Sequence, residues 1–292
     1  MPTNLACSTA CFRHTSIDVA LEEIRLAGFQ AIDLNLIPGL CDHFDAARQS
    51  ASERQDFVTL VRNSRLLVPT VTAAPGNFNS PLDNFEFIIQ SALAHLKLAA
   101  QLACEGLNVA CGIPAADRRQ FSEQARIQAK GLKLIAQEAM QLGLNLNVWA
   151  PHGEGLCRNV ADARFLMEQI DEQNVRLLLD VAQVQSIHIS LIEAVRGLAG
   201  CIGHVRFPDS SAICPDEFFQ ELDRTGYHGY CALEMDIGED IIEARKCLRR
   251  SLRVLLERAA KPVEVVPAQA ASGSSRPGLI DASRSAPSGQ NR

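Results

Sequence analysis

The sequence predicts one α/β domain, a closed (β/α)8 barrel over residues 1–261, followed by a structureless tail. Short apolar runs of strand length alternate with amphipathic helical stretches, which means a parallel sheet covered by helices. Eight such units in about 260 residues match a closed barrel better than an open doubly wound sheet. No G-x-G-x-x-G follows a run and no G-x-x-x-x-G-K-[ST] occurs, so dinucleotide and P-loop chemistry are disfavoured.

The strand candidates come in order. They are LACST beginning at Leu5, AIDLNL (31–36), LLVPTVTA (66–73), LNVAC (107–111), LNLNVWA (144–150), VRLLLD (175–180), IGHVRF (202–207) and YCALEM (230–235). Each is four to eight residues of apolar or alternating character, the length of a buried strand. Between them, IDVALEEIRLAG places Val19, Leu21, Ile24 and Leu26 near a 3.6-residue period. FSEQARIQAKGLKLIAQEAMQLG, ADARFLMEQI, ISLIEAVRGLAG, DEFFQELDRTG and EDIIEARKCLRRSLRVLLERA behave in the same way. Gly28, Gly143, Gly200 and Gly226 stand where helices stop. From Pro262 to Arg292 the chain is rich in Pro, Gly, Ser and Ala without a period, which predicts a disordered tail.

Hydrophobic residues make up 47% and charged residues 21%, a globular balance that excludes global disorder. The net charge of −6 lacks the basic footprint of a nucleic-acid binder. No apolar run approaches the ~18 residues of a membrane span. The first residues, MPTNLACSTACFRH, carry no charged segment ahead of an apolar one, which argues against a secretory signal. Ten cysteines are spread along the chain with no C-x-x-C, as expected of free thiols in a reducing cytoplasm. Cys7 and Cys11 differ from the others because they flank the end of the first strand.

Barrels of this type carry their active sites at the C-terminal ends of the strands. There the sequence offers Ser8, Cys11 and His14, then Asp33 and Asn35, then Thr70 and Thr72. Strand five leads into Trp149, His152 and Glu154, and strand six into Asp180 and Gln183. Strand seven carries His204 and Arg206 on one face, then Asp209, and strand eight ends in Glu234 and Asp236. A carboxylate closing an apolar strand, as in RLLLD180 and CALE234, needs a partner when buried. A metal ion, a substrate hydroxyl or Arg206 could each supply one. The plain structural alternative is an ion pair of Arg206 with Asp180 or Glu234. His152 reads as a ligand, a base or a rim residue, and His204, one layer below Arg206, as a core histidine or a substrate contact. Trp149, the single tryptophan, is expected on the helix-facing side of strand five, packed in the core.

These residues lie in stretches that resemble a known superfamily. ACSTACF (6–12), EEIRLAGFQAIDLN (22–35), NVRLLLDVAQ (174–183), AVRGLAGCIGHVRFPDS (194–210) and FFQELDRTGYHGYCALEMD (218–236) carry the resemblance over about residues 4–260. The chain resembles the xylose isomerase-like TIM barrels, in the sugar phosphate isomerase/epimerase branch with hydroxypyruvate isomerase and the ketose 3-epimerases. That resemblance implies one divalent metal (Mn, Mg or Co) held by Glu, Asp, His or Gln, and Glu at the ends of strands five to eight. Position by position, Asp180 and Glu234 are kept, whereas Ala150 and Arg206 stand at the strand-five and strand-seven positions. Gln183 replaces a frequent histidine, and the loop after strand seven is shortened to SSAICPDEF.

The resemblance implies proton transfer on a small polyhydroxy-carbonyl compound, with Glu234, His152 and Arg206 as catalytic candidates. Gln183, His204, Asp209 and Cys11 are the substrate-contact candidates, Asp180 and Glu234 a partial metal site, and a homodimer is compatible with the family. Two other readings stay open: a non-catalytic or partner-dependent barrel that has lost the metal site, and a metal-independent lyase or dehydratase built on Glu234 and Arg206.

Overall fold

The computed structural model describes residues 4–208 and 216–259. The tail beyond residue 261, Asp209 and most of the shortened loop after strand seven lie outside the described residues. Eight parallel strands close into a barrel in sequence order: β1 Leu5–Ser8, β2 Ala31–Leu36, β3 Leu67–Ala73, β4 Gly106–Ala110, β5 Asn145–Trp149, β6 Val175–Asp180, β7 Ile202–Phe207 and β8 Cys231–Leu233. β1 closes the ring on β8 through Leu5–Cys231, Ala6–Ala232 and Cys7–Leu233. All eight predicted runs are therefore strands of one sheet.

The outer ring holds α1 Ile17–Ala27, α2 Ala51–Asn63, α3 Phe85–Gln101, α4 Phe121–Gln141, α5 Val160–Ile170, α6 Val181–Ser186, α7 Leu191–Gly197, α8 Asp216–Arg224 and α9 Ile241–Ala259. Gly28, Gly143, Gly200 and Gly226 all adopt positive φ, as expected of helix stops. α2 and α3 were not singled out by an apolar period. α2 buries only Phe57, Val58 and Val61 and is fixed instead by a capping box between Ser50 and Glu53. α3 is apolar nearly all round and is started by the Asn84 side chain, which accepts from Phe87 N–H.

Outward strand residues such as Ile32, Leu34, Leu107, Leu146, Val148, Leu177 and Val205 pack under the helices in one continuous core. The inside of the barrel is built differently. Ala6, Ala31 and Ala232 form a separate small apolar layer. Above them the interior is polar, with Asp33, Thr70, Thr72, Asn108, Asn147, His204 and Arg206 all buried. Such residues survive burial only by satisfying one another. Asn147 Nδ2 donates to Asn108 Oδ1 at 2.8 Å, and Asn108 Nδ2 donates to Thr72 Oγ1 at 2.9 Å.

Two contacts fix the loops over β3 and β4. The Phe78 ring lies directly on α4 at Gly131, where an added Cβ would stand 2.1 Å from a ring carbon. Asn79 then clamps the chain after β4: its Nδ2 donates to Ile113 O at 2.8 Å, and its Oδ1 accepts from Ile113 N–H at 3.0 Å. The described cysteines are free thiols. No helix among the described residues is long and apolar enough to cross a membrane.

Candidate active site

The centre of the mouth is organised by Arg206, 1% exposed on β7. Its Nη2 donates to Asp33 Oδ2 at 2.7 Å and to Thr72 Oγ1 at 2.9 Å. Its Nε stands 3.2 Å from Glu234 Oε2. Asp33, fully buried on β2, is further held by Thr70 Oγ1 at 3.0 Å and Thr72 Oγ1 at 2.9 Å. Burial opposes the Asp33 charge, but Arg206 and His204 outweigh it and keep the carboxyl well below the usual carboxylate range. Burial likewise works against the guanidinium, and Glu234, Asp33 and Asp180 together outweigh it.

Arg206 does pair with a strand-end carboxylate, Glu234, which is the structural alternative raised for it. Its closest partner, though, is Asp33 rather than Asp180. Asp33, named among the strand-end residues, carries the same signal as Asp180 and Glu234, a carboxylate in an apolar run, and that argument extends to it as a partner for Arg206.

Glu234 follows β8 and keeps about a quarter of its side chain open, at 23%. Its Oε2 accepts from Ser8 Oγ at 2.6 Å and from Asn35 Nδ2 at 3.4 Å, in addition to the ion pair with Arg206. Ser8 is itself pinned, because its Oγ accepts from Ala10 N–H at the start of a 3-10 turn. All of these contacts fall on one carboxylate oxygen. Oε1 has no hydrogen-bond partner among the described residues.

Asp180 ends β6 and caps α6, its Oδ1 accepting from Gln183 N–H at 3.1 Å. Burial pushes its carboxyl up to about 6, with Arg206 opposing and Glu234 adding to the rise. Gln183 Oε1 accepts from Gly153 N–H at 3.3 Å and ties down the chain after β5. His204 is fully buried beneath Arg206, its Nε2 3.6 Å from Asp33 Oδ2. Cys11 is buried against β8, its Sγ accepting from Met235 N–H at 3.4 Å. Of the substrate-contact candidates, Gln183, His204 and Cys11 are thus all engaged with the protein, and Asp209 lies outside the described residues.

Trp149 corrects its sequence reading. Asn147 and Trp149 share the inward face of β5, and the Arg206 guanidinium carbon stands 5.1 Å from the indole centroid. The His152 ring meets the indole edge-on, with centroids 4.6 Å apart. His152 Nδ1 accepts from Glu154 N–H at 3.1 Å, so the neutral ring carries its proton on Nε2. Burial lowers the His152 pKa, Glu154 opposes the shift, and Arg206 adds a smaller lowering. A half-open cavity of about 190 Å³ lies against Trp149, His152, Glu154, Asn77 and Cys111.

The residues present do not fit the divalent ion that the family resemblance implies. No group of three His, Cys, Asp or Glu side chains among the described residues could hold one. A guanidinium occupies the strand-seven position, already paired with Glu234. Asp180 spends one oxygen on a helix cap, and Ala150 has no donor side chain to offer. The position stays cationic, but the charge belongs to the chain.

Comparison with known proteins follows this architecture. Solved structures with the same fold include a D-psicose 3-epimerase in the presence of D-fructose, at 16% identity over 86% of this chain and 97% of that one, with a TM-score of 0.71. The probable 3-DHS dehydratase of petrobactin synthesis from Bacillus anthracis is 17% identical over 87% of this chain and 99% of that one, with a TM-score of 0.69. An L-ribulose 3-epimerase is 17% identical over 88% and 94%, with a TM-score of 0.67. No curated protein sequence matches the chain. The model of the xylose isomerase-like TIM barrels matches residues 21–255, a span that includes Asp33, Asp180, Arg206 and Glu234, and the chain belongs to that family.

Proposed function

We propose that this barrel transfers protons on a small polyhydroxy-carbonyl compound, as an isomerase or epimerase, with Glu234 as the base. The observation that carries the reading is the one-sided bonding of Glu234. Ser8, Asn35 and Arg206 hold Oε2, which fixes the carboxylate plane and leaves Oε1 without a partner among the described residues. A base held in this way is oriented before substrate arrives. Oε1 would take a proton from the hydroxyl-bearing carbon beside the carbonyl, giving an enediolate, and return it on the same face to the neighbouring carbonyl carbon while the hydroxyl proton passes to the old carbonyl oxygen, which is isomerisation. Epimerisation needs the proton to return on the opposite face, from water on that side, because one carboxylate reaches one face only.

Arg206 serves this chemistry through Glu234. It is buried beneath the carboxylate, so it orients the base and does not clamp a substrate anion. The sugar epimerases among the structural neighbours are consistent with such a substrate class, and the neighbouring probable dehydratase is consistent with a lyase on the same fold. The test is deuterium wash-in beside the carbonyl, followed by NMR in D2O with D-fructose, D-psicose and dihydroxyacetone as probes. Exchange by wild type and none by Glu234→Gln is the expected result; equal exchange by both removes Glu234 from the mechanism.

The ion pair with Arg206 supports a second reading, a barrel that binds without turnover, because a carboxylate already held by a guanidinium, Ser8 and Asn35 also serves as a structural tie between β1, β2, β7 and the chain after β8. Absence of exchange with every probe, for wild type as well, would favour it.

A further inference from the structure

Four large apolar side chains stand exposed on one face of the helix ring, in the chain leading into α3 and along α4. Leu82 is 93% exposed, Phe85 48%, Ile127 42% and Leu134 43%. Phe78 joins them into one surface. Its ring lies against α4 at Gly131 and meets the Phe85 ring with centroids 5.1 Å apart. Ile127 stands four residues before Gly131 and Leu134 three after it, so both flank the Phe78 ring on one side of the helix. Leu82 lies three residues before Phe85. Phe87 is also exposed, but it is two residues on from Phe85 and belongs to another side of α3.

Exposed apolar residues scattered singly are ordinary, whereas a contiguous group of this size marks a contact. The face is also held in place. Phe78 is seated on the one glycine of α4, Asn84 caps α3, and Asp83 Oδ2 accepts from Asn77 N–H at 2.9 Å. A surface fixed in this way has little ordering left to lose when it is covered.

Its area and its charges suit a second copy of the chain. At ~200 Å² for a whole large side chain, the four residues offer on the order of 450 Å² of apolar surface. Two such faces laid together bury ~900 Å², and with the polar share of roughly one third usual in homodimers the total is about 1,400 Å², within the range of specific, stable interfaces. The two flanks of the face differ in sign. Asp83 and Glu86 are exposed on the α3 side, and Lys130 is exposed on the α4 side between Ile127 and Leu134. A two-fold axis through the Phe78–Phe85 pair exchanges the sides, so each Lys130 comes opposite an acidic flank. Glu123 and Glu138, one turn beyond Ile127 and Leu134, fall at the rim, where charges weigh little. The carboxylates around the face speak against an anionic lipid surface as its occupant.

We propose that this face is the isologous interface of a homodimer, with Leu82 and the Phe78–Phe85 pair at its centre. The contact uses neither Glu234 nor Arg206 and is independent of the proton-transfer reading. It touches the mouth only through the backbone, because the segment that carries Leu82 leaves the barrel after β3, whose Thr72 holds Asp33 and Arg206.

Sedimentation equilibrium of the full chain, from about 1 to 100 µM, reads the association directly. Wild type should sediment with the mass of two chains. Leu82→Glu alters a side chain that is almost wholly in solvent, so the fold of each chain is untouched. That variant and Phe85→Ser should raise the dimer dissociation constant by about tenfold or more. Phe87→Glu, at an exposed phenylalanine off the face, should leave the constant within about twofold of wild type. A wild type that stays monomeric at the highest concentration overturns the proposal, including one that meets a different protein or a vesicle through this face. So does a dimer that Leu82→Glu and Phe85→Ser both leave intact. A dimer that Phe87→Glu breaks as readily as Leu82→Glu overturns it as well, since general stickiness rather than this face would then make the contact.

Discussion

Arg206 Nη2 lies 2.7 Å from Asp33 Oδ2, and both groups are buried inside the barrel, whereas its Nε meets the half-open Glu234 at 3.2 Å. The guanidinium is thus anchored from below and shared upward. Its inner partner fixes its position, and its outer partner is the one left facing the mouth.

Asp33→Asn should be severely destabilising. It strands a buried guanidinium, and breaking one side of a buried pair costs about 3–5 kcal/mol. For a domain of this size that is a drop of roughly 6–20 °C in melting temperature, readable by calorimetry. An unchanged melting temperature would show that the pair contributes nothing.

The same pair sets an acid limb. The folded Asp33 carboxyl is held below its unfolded value of about 3.9, so its stabilisation is complete above that pH. It is lost as pH falls from about 4 toward the lower folded value, because the unfolded chain binds the proton first. Denaturant melts between pH 7 and pH 2 should show wild type losing more stability than Asp33→Asn over the acid interval. Parallel curves would contradict the assignment.

Glu234→Gln should lower any proton-transfer rate by about 10²–10⁴-fold while leaving the fold intact. The amide still accepts from Ser8 and keeps the shape of the side chain. Circular dichroism and melting curves check the fold, and deuterium wash-in checks the rate. A variant that loses rate only because it unfolds would count against the catalytic role.

Mn, Mg and Co salts should leave the wild-type melting temperature unchanged to within about a degree. An ion at a hundred times its dissociation constant would add about 2.7 kcal/mol, several degrees for this chain. A saturable rise abolished by Asp180→Ala would show that the guanidinium yields its place, and would reinstate a metal centre.

Gly131→Ala should cost about 1–3 kcal/mol through overpacking, since its Cβ would enter the Phe78 ring. Calorimetric melting of the variant reads the loss, and wild-type stability would mean that the loop is not anchored at Phe78.

The barrel was readable because its strands are apolar on the helix side, and Leu, Val and Ile mark that face directly. Helix α2 was not, because its few buried residues follow one another within a mostly polar stretch. At the site, the strand-end carboxylates and Arg206 were readable as charges that need partners. The choice between Asp33 and Asp180 was not, since it depends on which carboxylate the guanidinium reaches across the barrel. Trp149 misled for a physical reason. Its parity in the run suggests the helix-facing side, yet it alternates with Asn147 onto the inner face, where the indole meets the Arg206 guanidinium.

An arginine at the strand-seven position has a consequence for supply. A bound ion exchanges with its surroundings, competes with other ions and is stripped by chelators. The Arg206 charge is synthesised with the chain and does not titrate at any physiological pH. Whatever this barrel does at its mouth, the positive charge at its centre is present from the moment of folding, at a stoichiometry of one, in every compartment and growth condition.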